Sequence, residues 1–270
     1  MANGKIEALA APRRGERQGL LARAKAFYFA HRPWIVLGMA AYLLLIHFAA
    51  FYQFWQSSWP GTIAWKLGLG SRWAEFDPAF RTRRAQLYRL ADAIDPGAAL
   101  FIGDSILASL DIGTLVDRGV QLSIAGDTTR RVISRLDNYA LGDARLVVLH
   151  VGTNDLLFRT PAELHRPFAR MLADVPAHVP VVLSGALPID ERVTGRYTNA
   201  DVRAANRVMA QACAARPGCA FVDGGPAVSD AGGNLDARFH VGDGLHLNGA
   251  GYRAWRAALA PALAPWRDAP

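Results

Sequence analysis

The first strong pattern along the chain is a run of apolar positions uninterrupted by charge. Residues 34–55 read WIVLGMAAYLLLIHFAAFYQFW, 22 positions without an Asp, Glu, Lys or Arg. At about 1.5 Å rise per residue, a helix of this length spans a hydrocarbon layer about 30 Å thick. Tyr42 and His47 are its polar interruptions, and Trp34, Tyr52 and Trp55 stand near its ends, where amphipathic rings favour the interface. The pattern predicts a transmembrane helix over 34–55. The run is longer than the apolar region of a cleaved signal peptide and no A-x-A site follows it, so the anchor is expected to remain.

Beyond this run the periodicity changes. Asp77-Pro78 has the form of an N-cap followed by a first helical proline. Phe80, Leu87, Leu90, Ala91 and Ile94 then recur at helical steps up to Asp95-Pro96-Gly97. Afterwards short apolar runs alternate with amphipathic ones. Residues 98–102, 120–124, 146–151, 179–187 and 220–222 read as strands, and 129–138, 162–175, 199–215 and 249–263 as helices. Continuous apolar strands separated by helices predict an α/β fold, a three-layer α/β/α sandwich around a five-stranded parallel sheet. One domain is expected over 77–270. The segment 56–76, with Pro60, several glycines and Trp59, Trp65 and Trp73, reads as a linker whose tryptophans either lie against the membrane or pack on the domain.

Charge changes the picture at the N-terminus. Seven Lys and Arg stand against two acidic residues in positions 1–33, a balance of +5 out of the +7 carried by all 270 residues. The other 23 basic and 21 acidic groups nearly cancel, so the body of the protein has no general field to hold a polyanion, and nucleic acid is not an expected partner. Concentrating Lys and Arg before the span, with only Lys66 and Arg72 soon after it, predicts a cytoplasmic tail over 1–33 and a translocated body. In a bacterium-like cell this means an inner-membrane protein, single-pass, with its domain periplasmic or extracellular. The two cysteines, Cys213 and Cys219, either close a small loop in that oxidising compartment or remain buried thiols. The seven histidines are scattered, with no ligand spacing that signals a metal.

In a parallel sheet covered on both faces, working groups sit on loops at the carboxyl ends of the strands. The first strand ends in Gly103-Asp104-Ser105 and passes into Ile106-Leu107-Ala108, which presents a serine hydroxyl on a tight turn. The second ends in Ala125-Gly126-Asp127, where a glycine lets a backbone N–H approach a ligand. The third ends in Gly152-Thr153-Asn154-Asp155 and supplies a side-chain amide at the same edge. Asp243-Gly244-Leu245-His246 precedes the last helix, and an acid three residues ahead of a histidine can accept its Nδ1–H and leave Nε2 for a nucleophile.

These four blocks, in this order over about 98–252, resemble the SGNH hydrolases of the GDSL esterase and lipase superfamily. The run Ile124-Ala125-Gly126-Asp127-Thr128-Thr129 is similar to the platelet-activating-factor acetylhydrolase and thioesterase I branches. Those branches often carry Asn where Gln121 stands and Gly where Ala125 stands. The resemblance implies a flavodoxin-like sheet and a catalytic triad of Ser105, Asp243 and His246. It also implies an oxyanion hole made by the backbone N–H groups of Ser105 and Gly126 and the Asn154 amide, with no metal or organic cofactor. The expected activity is that of a membrane-anchored serine esterase acting on an acylated glycan, lipid or small molecule. O-acyl transfer to envelope glycans and an inactive tethered binding domain are the alternatives. Asp223 is the second choice for orienting His246, and Asp104 and Asp155 are expected to support turns. His240 either contacts substrate or, as the commoner role of a loop histidine, is simply solvated, and Arg130 and Arg131 either cap a helix or meet an anionic substrate.

Overall fold

A computed structural model describes residues 14–56 and 78–267. The chain divides into two compact units, Met1–Pro60 and Gly61–Pro270. In the first, a single helix α1 runs over Arg14–Gln56 with Pro33 inside it. It begins well before the expected span because Arg, Glu, Gln, Leu, Ala and Lys, which hold ten of the twelve positions 14–25, favour helix and outweigh Gly15 and Gly19. Its apolar stretch, Leu21–Phe54, is long enough to cross a membrane, and no part of its most hydrophobic window is buried. Trp34 and Leu44 are 73% and 72% exposed. His47 Nδ1–H donates to the Leu43 carbonyl at 2.7 Å, so this polar interruption is satisfied within the helix itself. The expected linker, apart from Gln56, and the Asp77 cap lie outside the described residues.

The second unit opens with α2 (Pro78–Ala91), whose Phe80 and Leu87 are buried. There follow β1 (Ala99–Gly103), α3 (Ser105–Ala108), β2 (Gly119–Gln121), α4 (Thr129–Leu136) and β3 (Leu146–His150). Then come α5 (His165–Ala173), β4 (Val181–Ser184), α6 (Asn199–Ala214), β5 (Cys219–Val222) and α7 (Gly249–Leu263). The five strands are all parallel, in the order β2-β1-β3-β4-β5. This is the flavodoxin-like order, and its switch point lies between β1 and β3.

Alternation along the central strands sorts the core into two halves, because successive side chains point to opposite faces. Leu100, Ile102, Val147, Leu149, Val181 and Leu183 pack with residues of α2, α4, α5 and α6. Ala99, Phe101, Leu146, Val148 and Val182 pack with Ile106 and Leu107 of α3 and with Trp255, Leu259 and Leu263 of α7. The sheet is thus buried on both faces, which is why its strands read as continuous apolar runs rather than alternating ones.

Two expected strands are shorter than their apolar runs. The Gln121 side chain bonds the Ser123 N–H at 3.1 Å and the Leu107 carbonyl at 2.8 Å, so the edge strand bends there, although Leu122 and Ile124 still donate to Phe101 and Gly103. After Ser184 the chain leaves the sheet because Asn206 takes over its pairing. Its Oδ1 accepts from the Ala186 N–H at 2.8 Å and its Nδ2 donates to the Ala186 carbonyl at 2.9 Å. The expected helix over 162–175 begins instead as a 3₁₀ turn, Pro161–Leu164, held by a Thr160–Glu163 capping box, and only then becomes α5. Cys213 at the end of α6 and Cys219 at the start of β5 are joined by a disulfide.

Candidate active site

The end of β1 has to approach β3 closely. A Cβ on Gly103 would collide with the His150 carbonyl oxygen, and the next residue, Asp104, donates its N–H to that oxygen at 3.1 Å. Asp104 also caps α3, accepting from the Ile106 N–H at 3.0 Å. These constraints put Ser105 at the first position of a helix on the carboxyl edge of the sheet, half-buried.

The imidazole arrives from the other end of the chain. Asn248 caps α7 by accepting from the Ala250 and Gly251 N–H groups, and its Nδ2 reaches back to the carbonyls of Arg238 and His240 at 2.8 and 3.1 Å. Tyr252 on the first turn of α7 donates its hydroxyl to the Ile106 carbonyl at 3.0 Å, tying the helix after the histidine loop to the helix that carries the serine. Ser105 Oγ then lies 3.0 Å from His246 Nε2, across 141 positions of sequence.

Asp243 Oδ2 is 2.6 Å from His246 Nδ1, and its Oδ1 accepts from the backbone N–H groups of Leu245 and His246 at 3.0 and 2.9 Å. Partial burial pushes the Asp243 carboxyl up, but the imidazole and the two N–H donors outweigh it and hold it at about 2. An ionised Asp243 fixes the proton on Nδ1, so Nε2 offers its lone pair to the serine hydroxyl. Both side chains are about two-fifths exposed, so solvent reaches the pair.

The two expected anion-stabilising groups sit on the neighbouring loops. Gly126 adopts φ +78, the left-handed region that favours glycine, on an exposed tip after β2. Asn154 donates one Nδ2 proton to the Asp127 carbonyl at 2.9 Å, which orients the amide and leaves the other proton for a ligand. Asp155 joins the two loops by accepting from the N–H and hydroxyl of Thr129 at 2.8 and 3.1 Å. Beneath them lies a buried ion pair in which Arg135 Nη2 stands 2.6 Å from Asp127 Oδ2.

Several secondary expectations are resolved differently. Asp223 turns to its own loop, accepting from the Gly225 N–H at 3.0 Å, and is no partner of His246. His240 is buried rather than solvated: its Nδ1 accepts from Gly242 and Gly244, and its Nε2 lies 3.5 Å from Asp190 Oδ2. It is therefore a brace for the loop bearing Asp243. Arg131 donates to the Gly126 carbonyl at 3.0 Å with its guanidinium over the Phe80 ring at 4.1 Å, whereas exposed Arg130 lines a groove with α5. The bracing roles of Asn248, Tyr252 and Gln121 were not read from sequence. Asn248 and Tyr252 stand four residues apart around the start of a helix, the one available signal, but their partners are remote.

Next to Ser105 sits a buried polar group with unusual strain on its charge. Asp104 is 1% exposed and His150 is fully buried, with His150 Nε2 4.0 Å from Asp104 Oδ1. Asp104 Oδ2, His150 Nε2 and Trp255 Nε1 have no hydrogen-bond partner. Burial pushes the Asp104 carboxyl up to about 7, despite the Ile106 N–H, and pushes the His150 imidazole down to about 4.

Residues 101–254 match the sequence profile of the GDSL-like Lipase/Acylhydrolase family, and no curated protein sequence matches the chain. Among solved structures, a Streptococcus pneumonia protein assigned provisionally as a platelet activating factor is similar. It has TM-score 0.63 and 23% identity, with 68% of this chain and 92% of that one covered. The lipase/acylhydrolase from Enterococcus faecalis is similar at TM-score 0.55 and 22% identity, covering 64% and 99% of the two chains. An acetyl-xylooligosaccharide esterase from Geobacillus Stearmophilus is similar at TM-score 0.52 and 19% identity, covering 64% and 99%. All share the fold of the second unit.

Proposed function

The chain belongs to the GDSL-like lipase/acylhydrolase family and is a carboxylic ester hydrolase, and we propose that it is a membrane-anchored serine esterase acting outside the cytoplasm. The observation that carries this reading is the linear relay from Ser105 Oγ to His246 Nε2 at 3.0 Å and from His246 Nδ1 to Asp243 Oδ2 at 2.6 Å.

Ser105 Oγ attacks the ester carbonyl while His246 Nε2 takes its proton, and Asp243 stabilises the resulting imidazolium. The tetrahedral oxyanion is met by the N–H groups of Ser105 and Gly126 and by the Asn154 amide. His246 returns the proton to the departing alcohol, leaving an acyl-serine. Water then attacks the acyl group as His246 again removes a proton, and collapse of the second oxyanion releases the acid and regenerates the serine. The solvent exposure of Asp243 and His246 favours water over a sugar hydroxyl as the acceptor, so hydrolysis is preferred to acyl transfer.

The apolar helix α1 supports an anchor, and the seven basic residues ahead of the span support a cytoplasmic N-terminus. The Cys213–Cys219 disulfide supports an oxidising compartment for the domain.

Full-length protein in detergent is expected to hydrolyse short p-nitrophenyl esters and to be labelled by a fluorophosphonate. Ser105→Ala is expected to lose both while remaining folded. Equal inertness of both proteins would leave a binding domain as the better reading. A periplasmic reporter fused after Pro270 is expected to be active, and activity of a cytoplasmic reporter there would reverse the topology.

A further inference from the structure

Between α4 and α5 lies a groove of about 700 Å³, lined on its polar side by Arg130, Arg159, Glu163, His165, Arg166 and Arg170. Four guanidiniums thus face one carboxylate. That carboxylate is already engaged, since Glu163 accepts from the N–H and hydroxyl of Thr160 at 2.7 and 2.9 Å. Arg170 is engaged too, 2.7 Å from Asp174. Asp137 also acts on Arg170 and Asp155 on Arg159, so what the groove offers is less a net charge than a cluster of guanidinium N–H donors, with Arg166 exposed among them. Ile133, Ala162 and Pro167 supply apolar surface between the arginines.

The groove adjoins the loops of the proposed oxyanion donors. Arg130 is four residues beyond Gly126 and Arg159 five beyond Asn154. Asp155 links the two sides, accepting from Thr129, the neighbour of Arg130, through its carboxylate and from the Arg159 N–H at 2.9 Å through its carbonyl. The groove therefore begins on the same two loops that carry Gly126 and Asn154. Its volume falls in the range of small-molecule sites, enough for a sugar-sized group. Guanidiniums present paired N–H donors that match the oxygens of a carboxylate or a phosphate.

We propose that the groove between α4 and α5 binds an anionic group, a carboxylate or a phosphate, on the ester substrate, so that the enzyme prefers negatively charged esters. The inference rests on the esterase reading and supplies its substrate class.

The test compares three acetyl esters on full-length protein in detergent: O-acetyl methyl glucoside, O-acetyl methyl glucuronide and O-acetyl glycerol 3-phosphate. The charged esters are expected to exceed the neutral one in kcat/KM by about tenfold, the size of one charge-assisted hydrogen bond. Arg159→Gln/Arg166→Gln should abolish that preference while leaving the neutral ester within twofold, and Arg166→Lys alone should keep part of it. The two charged arms distinguish an acidic sugar from a phosphate-bearing substrate. Equal rates on all three esters, or a preference that survives in the double variant, would overturn the proposal. If Ser105→Ala and wild type are equally inert on the neutral ester, the esterase reading fails instead. Calorimetric binding of methyl glucuronide and glycerol 3-phosphate then decides the groove: binding lost in the double variant supports it, and binding that is absent from wild type or equal in both proteins refutes it.

Discussion

Asn154 is oriented by Asp127: one proton of its amide is committed to the Asp127 carbonyl at 2.9 Å, and the carboxylate of that same Asp127 is clamped by Arg135 at 2.6 Å. The amide that would meet an oxyanion is thus aimed by a loop that a buried ion pair holds in place. Such preorganisation matters because a donor that need not reorient costs nothing at the moment charge develops.

Asn154→Ala removes the donor and spares the clamp. It is expected to lower kcat by about 10² to 10³ with a much smaller change in KM. Steady-state kinetics on a p-nitrophenyl ester, with a circular dichroism spectrum matching wild type, check it.

Asp243→Asn keeps the acceptor oxygen for the backbone but loses the charge that fixes the imidazole tautomer. The expected fall in kcat is about 10⁴, as for other triads deprived of their acid. Asp223→Asn, by contrast, is expected to stay within twofold of wild type, since Asp223 serves only the Gly225 turn. A large loss in Asp223→Asn with little loss in Asp243→Asn would reverse the assignment.

Asp104 makes stability depend on pH. Its carboxyl titrates at about 7 in the folded chain against 3.8 when free, so between those values the folded state holds more protons than the unfolded one. Its contribution is therefore full below about pH 4 and is lost as pH rises through 7, by at most about 4 kcal/mol. His150 acts in the opposite sense between about 4 and 6.5, but it does so in both proteins when Asp104→Asn is compared with wild type. The variant keeps an oxygen for the Ile106 N–H. Its thermal midpoint is expected to exceed that of wild type at pH 8 and to lose most of that advantage at pH 5.

The Cys213–Cys219 bridge closes a loop of six residues' separation, for which loop entropy gives about 2 kcal/mol. Cys213→Ala/Cys219→Ala is expected to lower the denaturation midpoint accordingly, and a reductant should lower that of wild type but not of the double variant. Activity should persist in both, because neither cysteine touches Ser105, His246 or Asp243.

Much of this protein is written in its pattern of apolar positions. The uncharged run at 34–55, the five strand-like runs and the intervening amphipathic stretches each reflect local periodicity, and burial on both faces of a parallel sheet turns that periodicity into a nearly unambiguous text. The four chemical blocks were legible too, since Gly103, Gly126 and the Asp243–His246 spacing answer to short-range geometry. Pairing between remote segments was not. Whether Asp223 or Asp243 serves His246, whether His240 is solvated or buried against Asp190, and which of Arg130 and Arg131 faces outward all depend on which loops the topology brings together. The same is true of Asn206 ending β4 and of Tyr252 fastening α7 to α3. Local sequence sets which backbone conformations are cheap, whereas partners across 20 to 146 positions are chosen by how whole layers pack, and that choice exists only once the sheet has formed.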